Sequence, residues 1–149
     1  MEIMIQEETD KLMKYLCMAL PYGVKIQVEG LERDIIKDKG IRTLASVLPL
    51  RNAVEYDNHG ANYGVNIEQV KPYLRPMSSM TEDELGEFNE VTGGISFNEG
   101  IIDFGENSVY ATRIIYIIDW LLEHHFDYRG LIEKGLAIKV TEENNPYKN

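Results

Sequence analysis

The sequence predicts an α+β fold, a small antiparallel sheet covered by two or three helices. Three observations point to it. Apolar residues recur at intervals of three and four over residues 7–20 and again over 109–124, the period of amphipathic helices. Over residues 24–28 the period drops to two, as Val24, Ile26 and Val28 alternate with Lys25 and Gln27. From 31 to 68 short β-prone pieces alternate with turn-forming clusters. The 149 residues suit one compact domain, 1–149, with a sublobe boundary expected near 70–80 and a frayed polar tail over 141–149.

In the first helix Leu12, Leu16 and Ala19 form one stripe, and Met13, Cys17 and Leu20 form its neighbour. Pro21 and Gly23 end it before the strand at 24–28. Ile35-Ile36, Leu44 to Leu48, Ala53 to Tyr56 and Val65 to Ile67 are the next candidate strands, with a turn at Asp57-Asn58-His59-Gly60. Over residues 70–80, Pro72 and Pro76 argue against regular structure. Tyr73, Leu74, Met77 and Met80 supply apolar anchors there, so this segment is expected to be an ordered strap, with Arg75 bonding carbonyls or an acidic group.

Thr81 followed at the third position by Glu84 is a capping box, and it opens a helix expected to run to about Glu90. Phe97 and Ile101 flank Asn98-Glu99-Gly100 as in a tight hairpin. The next helix, 109–124, is capped by Asn107 or Ser108 and is the firmest of the elements. Tyr110, Ile114, Ile117 and Leu121 form one stripe; Ala111, Ile115, Ile118 and Leu122 form the adjacent one. So broad an apolar surface suits a helix crossing one face of the sheet. A turn at Asp127, a short helical piece over 129–134 and a last strand over 136–140 complete the fold.

Composition excludes several classes of function. Hydrophobic residues make up 44% and charged residues 27%, the balance of a foldable domain. The net charge of −10 disfavours generic binding to nucleic-acid phosphates. The acidity lies mainly in the second half, and no Lys or Arg occurs from Pro76 to Thr112. One cysteine, Cys17, leaves no internal disulfide, and the acidic N-terminal stretch lacks the form of a signal peptide. The expectation is a cytoplasmic protein that does not enter a membrane.

The chain contains no P-loop, dinucleotide-binding glycine fingerprint, His-Glu-x-x-His or complete EF-hand, so no cofactor or metal is expected. Adjacent helical residues diverge by about 100°, which keeps His124 and His125 from clamping one ion. A site joining one of them to Asp127, with Asp57 or Asp103, is weighed against the simpler reading of a helix C-terminus carrying imidazoles that bond its last carbonyls. Cys17 is read as a buried small hydrophobe, and Glu99, Asp103 and Glu106 as a solvated acidic face rather than an acid/base pair. The candidate binding residues are Tyr73, Arg75, Trp120, His124, His125, Asp127, Tyr128 and Arg129. For the aromatic members, core packing is the competing role.

Leu20-Pro21-Tyr22-Gly23-Val24, the 71–81 strap, and His124-His125-Phe126-Asp127-Tyr128-Arg129-Gly130-Leu131 with its continuation to Ala137 resemble segments of a group of small uncharacterised proteins from gut Bacteroidetes and their phages or prophages. The resemblance carries no known activity. It implies expression in a phage or prophage programme and argues against a housekeeping enzyme. The leading expectation is therefore a non-catalytic, phage-associated protein that binds another protein, with a homodimer through the broad helix as a further partner. The alternatives are an acidic mimic of nucleic acid that inhibits a host enzyme, and a hydrolase or metal-dependent enzyme built on carboxylates and histidines.

Overall fold

The computed structural model describes residues 4–31, 40–92, 96–98, 101–103 and 113–148. Helix α1 spans Gln6–Ala19 and buries Thr9, Leu12, Met13, Tyr15, Leu16 and Ala19. Glu7 and Lys11, one turn apart on its outer side, form an ion pair of 2.8 Å. Cys17, expected inside, is exposed: the buried arc is centred on Leu12, Leu16 and Ala19, and Cys17 falls beyond its rim. A single 3₁₀ turn, Leu20–Tyr22, carries Pro21 and stops at Gly23, whose φ of 69° suits a residue without a Cβ.

The chain then runs through β1 (Lys25–Val28), β2 (Ile41–Leu48), β3 (Ala53–Asn58), β4 (Ala61–Asn66) and β5 (Val70–Leu74). Helix α2 (Glu82–Thr92), the hairpin β6 (Ser96–Asn98) and β7 (Ile101–Asp103), helix α3 (Arg113–Glu123) and β8 (Ile138–Lys139) follow. The main sheet has the order β4-β3-β2-β1-β5-β8; all its pairs are antiparallel except β5 with β8. The α+β expectation holds, with the addition of that parallel edge. The candidate strand at Ile35-Ile36, the cap at Asn107 or Ser108, and Tyr110 and Ala111 lie outside the described residues.

Segment 70–74 corrects the strap reading, because it is an interior strand despite Pro72. Glu29 N–H donates to the Gln69 carbonyl at 2.7 Å, which makes Gln27 and Lys71, two positions further along, the next hydrogen-bonded pair. Pro72 therefore faces Ile26 in a non-hydrogen-bonded pair, where its missing N–H costs the β1 ladder nothing. Beyond the strand the strap character returns, with Arg75 in a parallel bridge to Phe126 and a 3₁₀ turn at Met77–Ser79.

Two apolar clusters hold the fold. In the larger, α1 covers the sheet, with Leu12, Tyr15 and Leu16 against Val24, Ile26, Leu44, Val54, Val70 and Leu74. A buried leucine of this kind contributes roughly 2 kcal/mol. In the smaller, Ile117, Trp120 and Leu121 of α3 meet Phe88 of α2, Met77 and Phe126. The helix that covers the sheet is thus α1. The principal partner of α3 is α2, and Leu122 is its buried contribution to the sheet cluster. One expected stripe of α3 is only partly used, since Ile115 and its neighbour Tyr116 are each 65% exposed. Residues 131–135 form turns rather than the expected helical piece.

Candidate functional site

The His124-His125-Phe126 sequence terminates α3. Phe126 N–H donates to the Leu121 carbonyl at 2.9 Å and His125 N–H to that of Leu122 at 3.1 Å, the crossed pair of a Schellman motif. His125 takes the left-handed position, with φ 63°, that glycine ordinarily fills. Phe126 turns inward and stacks on Trp120, centroids 5.8 Å apart, supplying the apolar contact that accompanies such an ending. His124 Nδ1 lies 2.8 Å from the Trp120 carbonyl, and since a carbonyl only accepts, Nδ1 carries the proton. The His124 ring also stacks on the Trp120 indole at 4.1 Å, whereas that of His125 stacks on Tyr147 at 3.7 Å with planes 9° apart. The rings serve two different partners, because the left-handed turn at His125 sends its side chain away from that of His124.

Arg75 joins three parts of the molecule. Its N–H donates to the His125 carbonyl and its carbonyl accepts from Asp127 N–H, both at 2.8 Å, so the strap is laced to the end of α3. Its guanidinium lies 4.2 Å over the Phe126 ring and grips Glu84 with two bonds of 2.6 Å. The expected acidic partner is therefore present. Glu84 also completes the predicted capping box: its Oε1 accepts from Thr81 N–H at 3.0 Å, and Thr81 Oγ1 accepts from Glu84 N–H at 3.2 Å. The bonds from Arg75, then those from Thr81, hold the Glu84 carboxyl at a pKa of about 2 against the opposing effect of burial.

The tail is docked rather than frayed, as far as residue 148. Asn144 folds a turn by accepting from Thr141 Oγ1 at 2.7 Å and donating to the Lys139 carbonyl at 3.1 Å. Tyr147 then reaches the sheet. Its hydroxyl accepts from Lys25 N–H at 2.9 Å and donates to the Tyr73 carbonyl at 2.7 Å. Lys25 and Tyr73 are the next hydrogen-bonding positions in the β1–β5 register after Gln27 and Lys71. A phenol thus takes the place of a backbone bond, and burial raises its pKa. Sequence reasoning missed this residue; its signal was an isolated aromatic after Asn-Pro in an otherwise polar tail.

A groove of about 800 Å³ opens between the strap, the end of α3 and the tail, lined among others by Arg75, Ser78, His124, His125, Lys139 and Lys148. Burial first, then the positive charges of His124, Arg75 and Lys25, lowers the pKa of His125 to about 4, so its imidazole is neutral at neutral pH. Among the described residues, Lys139 and Lys148 form no ion pair, and the carboxylates of the lining are Glu123 and Glu142. With Arg75 paired to Glu84 and His125 neutral, Lys139 and Lys148 are matched in number by Glu123 and Glu142, so the groove is near neutral in a chain of net charge −10 and offers two lysines outside any ion pair.

Of the eight predicted residues, Arg75, His124 and His125 line this groove, Trp120 lies beneath His124, and Tyr73 bonds Tyr147 through its carbonyl. Tyr73 O–H itself donates to Gln27 at 2.7 Å. The other three serve different ends. Buried Asp127 accepts from Leu131 N–H and Ile132 N–H at 2.8 and 2.9 Å, fixing the turn. Tyr128 packs near Tyr15 of α1. Arg129 meets neither carboxylate nor carbonyl among the described residues, and rests on Met18 Sδ at 3.4 Å and on Tyr128. With Cys17 it lines a separate hollow of about 540 Å³.

Among the described residues, no group of three or more His, Cys, Asp or Glu side chains is placed to hold a metal ion. His59 is exposed in the β3–β4 turn. Of the acidic residues, Glu82, Asp83, Glu87 and Glu90 are exposed on α2, while Glu99 and Glu106 lie outside the described residues. No helix among the described residues is long and apolar enough to cross a membrane. Comparison of the chain with protein-family models, curated protein sequences and solved structures finds no match.

Proposed function

We propose that this chain is a non-catalytic binding protein, and that the groove between the strap, the end of α3 and the tail receives an acidic, extended segment of a partner protein. One observation carries the reading: two specific sequence motifs and the docked tail converge on a groove that presents Lys139 and Lys148 outside any ion pair and is far less acidic than the chain around it. Lys139 and Lys148 offer charge without a competing ion pair, and neutral His125 offers hydrogen bonding. The committed side chains argue for binding over catalysis. Arg75 is held by Glu84, and the imidazoles of His124 and His125 are stacked on aromatic rings, so none of the three is poised to move during a reaction. His125 supports the same reading, because a side chain occupies a left-handed position where glycine is less strained.

Trp120 is the single tryptophan, and it contacts the groove through His124, so its fluorescence reports occupancy. Titration with an oligo-glutamate peptide should change that fluorescence, weaken as salt rises, and lose roughly tenfold in affinity in the Lys139→Glu/Lys148→Glu variant. Equal affinity in that variant, or an equal loss in Lys14→Glu on α1, overturns the assignment.

A further inference from the structure

The two edges of the main sheet are treated differently. The β8 edge is two residues long, carries Lys139 and is followed at once by the folded tail. At the other edge β4 runs for six residues, in unbroken register with β3, without a charge, a proline or a bulge. Natural edge strands ordinarily carry at least one such guard against pairing with another strand.

The backbone groups at that edge can be assigned. Asn58 and Ala61 are joined by His59 and Gly60, with φ 55° and 97°, a two-residue hairpin of the I′ type. Such a turn closes on a hydrogen-bonded pair, so 58/61, 56/63 and 54/65 are the bonded pairs of β3 and β4. The bond from Ile67 N–H to the Asn52 carbonyl at 2.9 Å continues the same alternation. The N–H and C=O groups of Asn62 and Gly64 and the N–H of Asn66 consequently point away from the sheet, while the Asn66 carbonyl, at the N-cap of the 3₁₀ turn Ile67–Gln69, already accepts from Gln69 N–H.

This outward face is symmetric about Gly64. The order Asn62-Tyr63-Gly64-Val65-Asn66 places an asparagine two residues to either side and an apolar residue at each intervening position. Nothing among the described residues requires glycine at the centre. Gly64 has no positive φ, and an added Cβ would meet only the Val54 carbonyl at an ordinary 4.0 Å. Glycine weakens a strand interior, and it recurs where another backbone approaches closely.

We propose that β4 is a self-association edge: a second copy of this chain adds antiparallel across a two-fold axis at Gly64, extending the sheet through both molecules. A two-fold perpendicular to the sheet pairs residues whose side chains share a face, and this register satisfies that condition. Gly64 faces its own copy, Asn62 faces Asn66, and Tyr63 faces Val65. Gly64 then exchanges both backbone bonds with its copy, and Asn66 N–H donates to the Asn62 carbonyl of the partner, four ladder bonds in all across the two-fold. Tyr63, 50% exposed in the single chain, gains an apolar neighbour and continues the face formed by Tyr56. The occupant is a second copy, rather than an unrelated strand, because the strand is complementary to itself under this operation. Two chains of net charge −10 also meet here without opposing charges in the ladder.

Sedimentation velocity on the full chain tests the proposal. The wild type should sediment at about twice 17.1 kDa, and the association should tighten with added salt as repulsion between the acidic bodies is screened. Asn62→Asp/Asn66→Asp opposes like charges twice and should weaken the dimer roughly tenfold or more, while Asn62→Lys/Asn66→Asp opposes unlike charges and should retain it. Aspartate at 66 keeps the acceptor that the Asn66 side chain provides to Glu68 N–H. A wild type that stays monomeric up to about 0.2 mM overturns the proposal, whatever else the edge captures. So does a folded Asn62→Asp/Asn66→Asp variant that dimerises as tightly as the wild type. Should that variant not fold, residue-resolved amide exchange of the wild type decides. Protection that rises with concentration at Gly64 and Asn66 supports the proposal, and protection independent of concentration at those two refutes it.

Discussion

Replacing Tyr147 with phenylalanine removes one oxygen from the docked tail and leaves two backbone groups without their partner. The Lys25 N–H and the Tyr73 carbonyl both bond the phenol, at 2.9 and 2.7 Å. The ring and its stack on His125 stay in place, so the change isolates the ladder-bridging role. Each orphaned group costs about 1–3 kcal/mol when water cannot reach it, and less where water enters the space beside the ring. With partial access to water the loss should be about 2–4 kcal/mol. For a domain of this length each kcal/mol lowers Tm by roughly 2–4 °C, which gives a fall of about 4–16 °C. Urea melts at pH 7, followed by the fluorescence of Trp120, should show the midpoint moving to lower denaturant with m unchanged. A loss below about 0.5 kcal/mol would refute the reasoning, because it would mean that β1 and β5 pair equally well without the tail.

Glu84→Gln keeps most of the capping geometry but removes the charge facing Arg75, and should cost about 1.5–3 kcal/mol in the same melts. The wild-type carboxyl titrates near 2 when folded and near 4.5 when unfolded, so its contribution is complete above pH 4.5 and is lost as pH falls through 2; Glu84→Gln should flatten that part of a stability–pH curve. His125 works in the opposite range. Its folded pKa of about 4 lies below the unfolded 6.5, so the unfolded chain takes up the proton first, and stability should decline from pH 6.5 towards 4, a slope that His125→Asn should remove while tolerating the left-handed backbone. Tyr15→Phe should leave stability unchanged or raise it by up to about 1 kcal/mol, since the buried Tyr15 hydroxyl has no partner among the described residues; a loss above 1 kcal/mol would reveal a bond from that oxygen.

Features that depend on near neighbours were legible in the sequence. The Thr81–Glu84 box spans three residues, the hairpin around 98–101 closes over two, and α1 and α3 announce themselves through period. Features that depend on register were not. Pro72 reads as a breaker until Ile26 is known to lie opposite it, because only the pairing decides whether a missing N–H matters. Cys17 was misplaced because a helical stripe fixes the centre of the buried arc more firmly than its rim. Within the candidate site, Arg75, His124 and His125 stood out as parts of distinctive strings, whereas Lys139 and Lys148 enter the groove only once the tail has folded back. Tyr147 bonds residues 74 and 122 positions away, a separation at which residue type alone carries no information.

Those separations also impose an order of assembly. The strands from β2 to β4 follow one another through short connections and can zip locally, since little loop entropy opposes each step. The far side of β1 must wait for β5 to return, and the β1–β5 seam for a tyrosine at the other end of the chain. The route therefore passes through a partly built sheet in which β1 and β4 both offer bare flanks, the stage at which chains are most prone to join wrongly. The return of β5, completed at Lys25 and Tyr73 by the tail, withdraws the β1 flank from that competition and leaves the β4 flank open. The docked C-terminal segment thus acts as a late latch, and slowing its arrival should extend the lifetime of the aggregation-prone species without altering the strands that formed first.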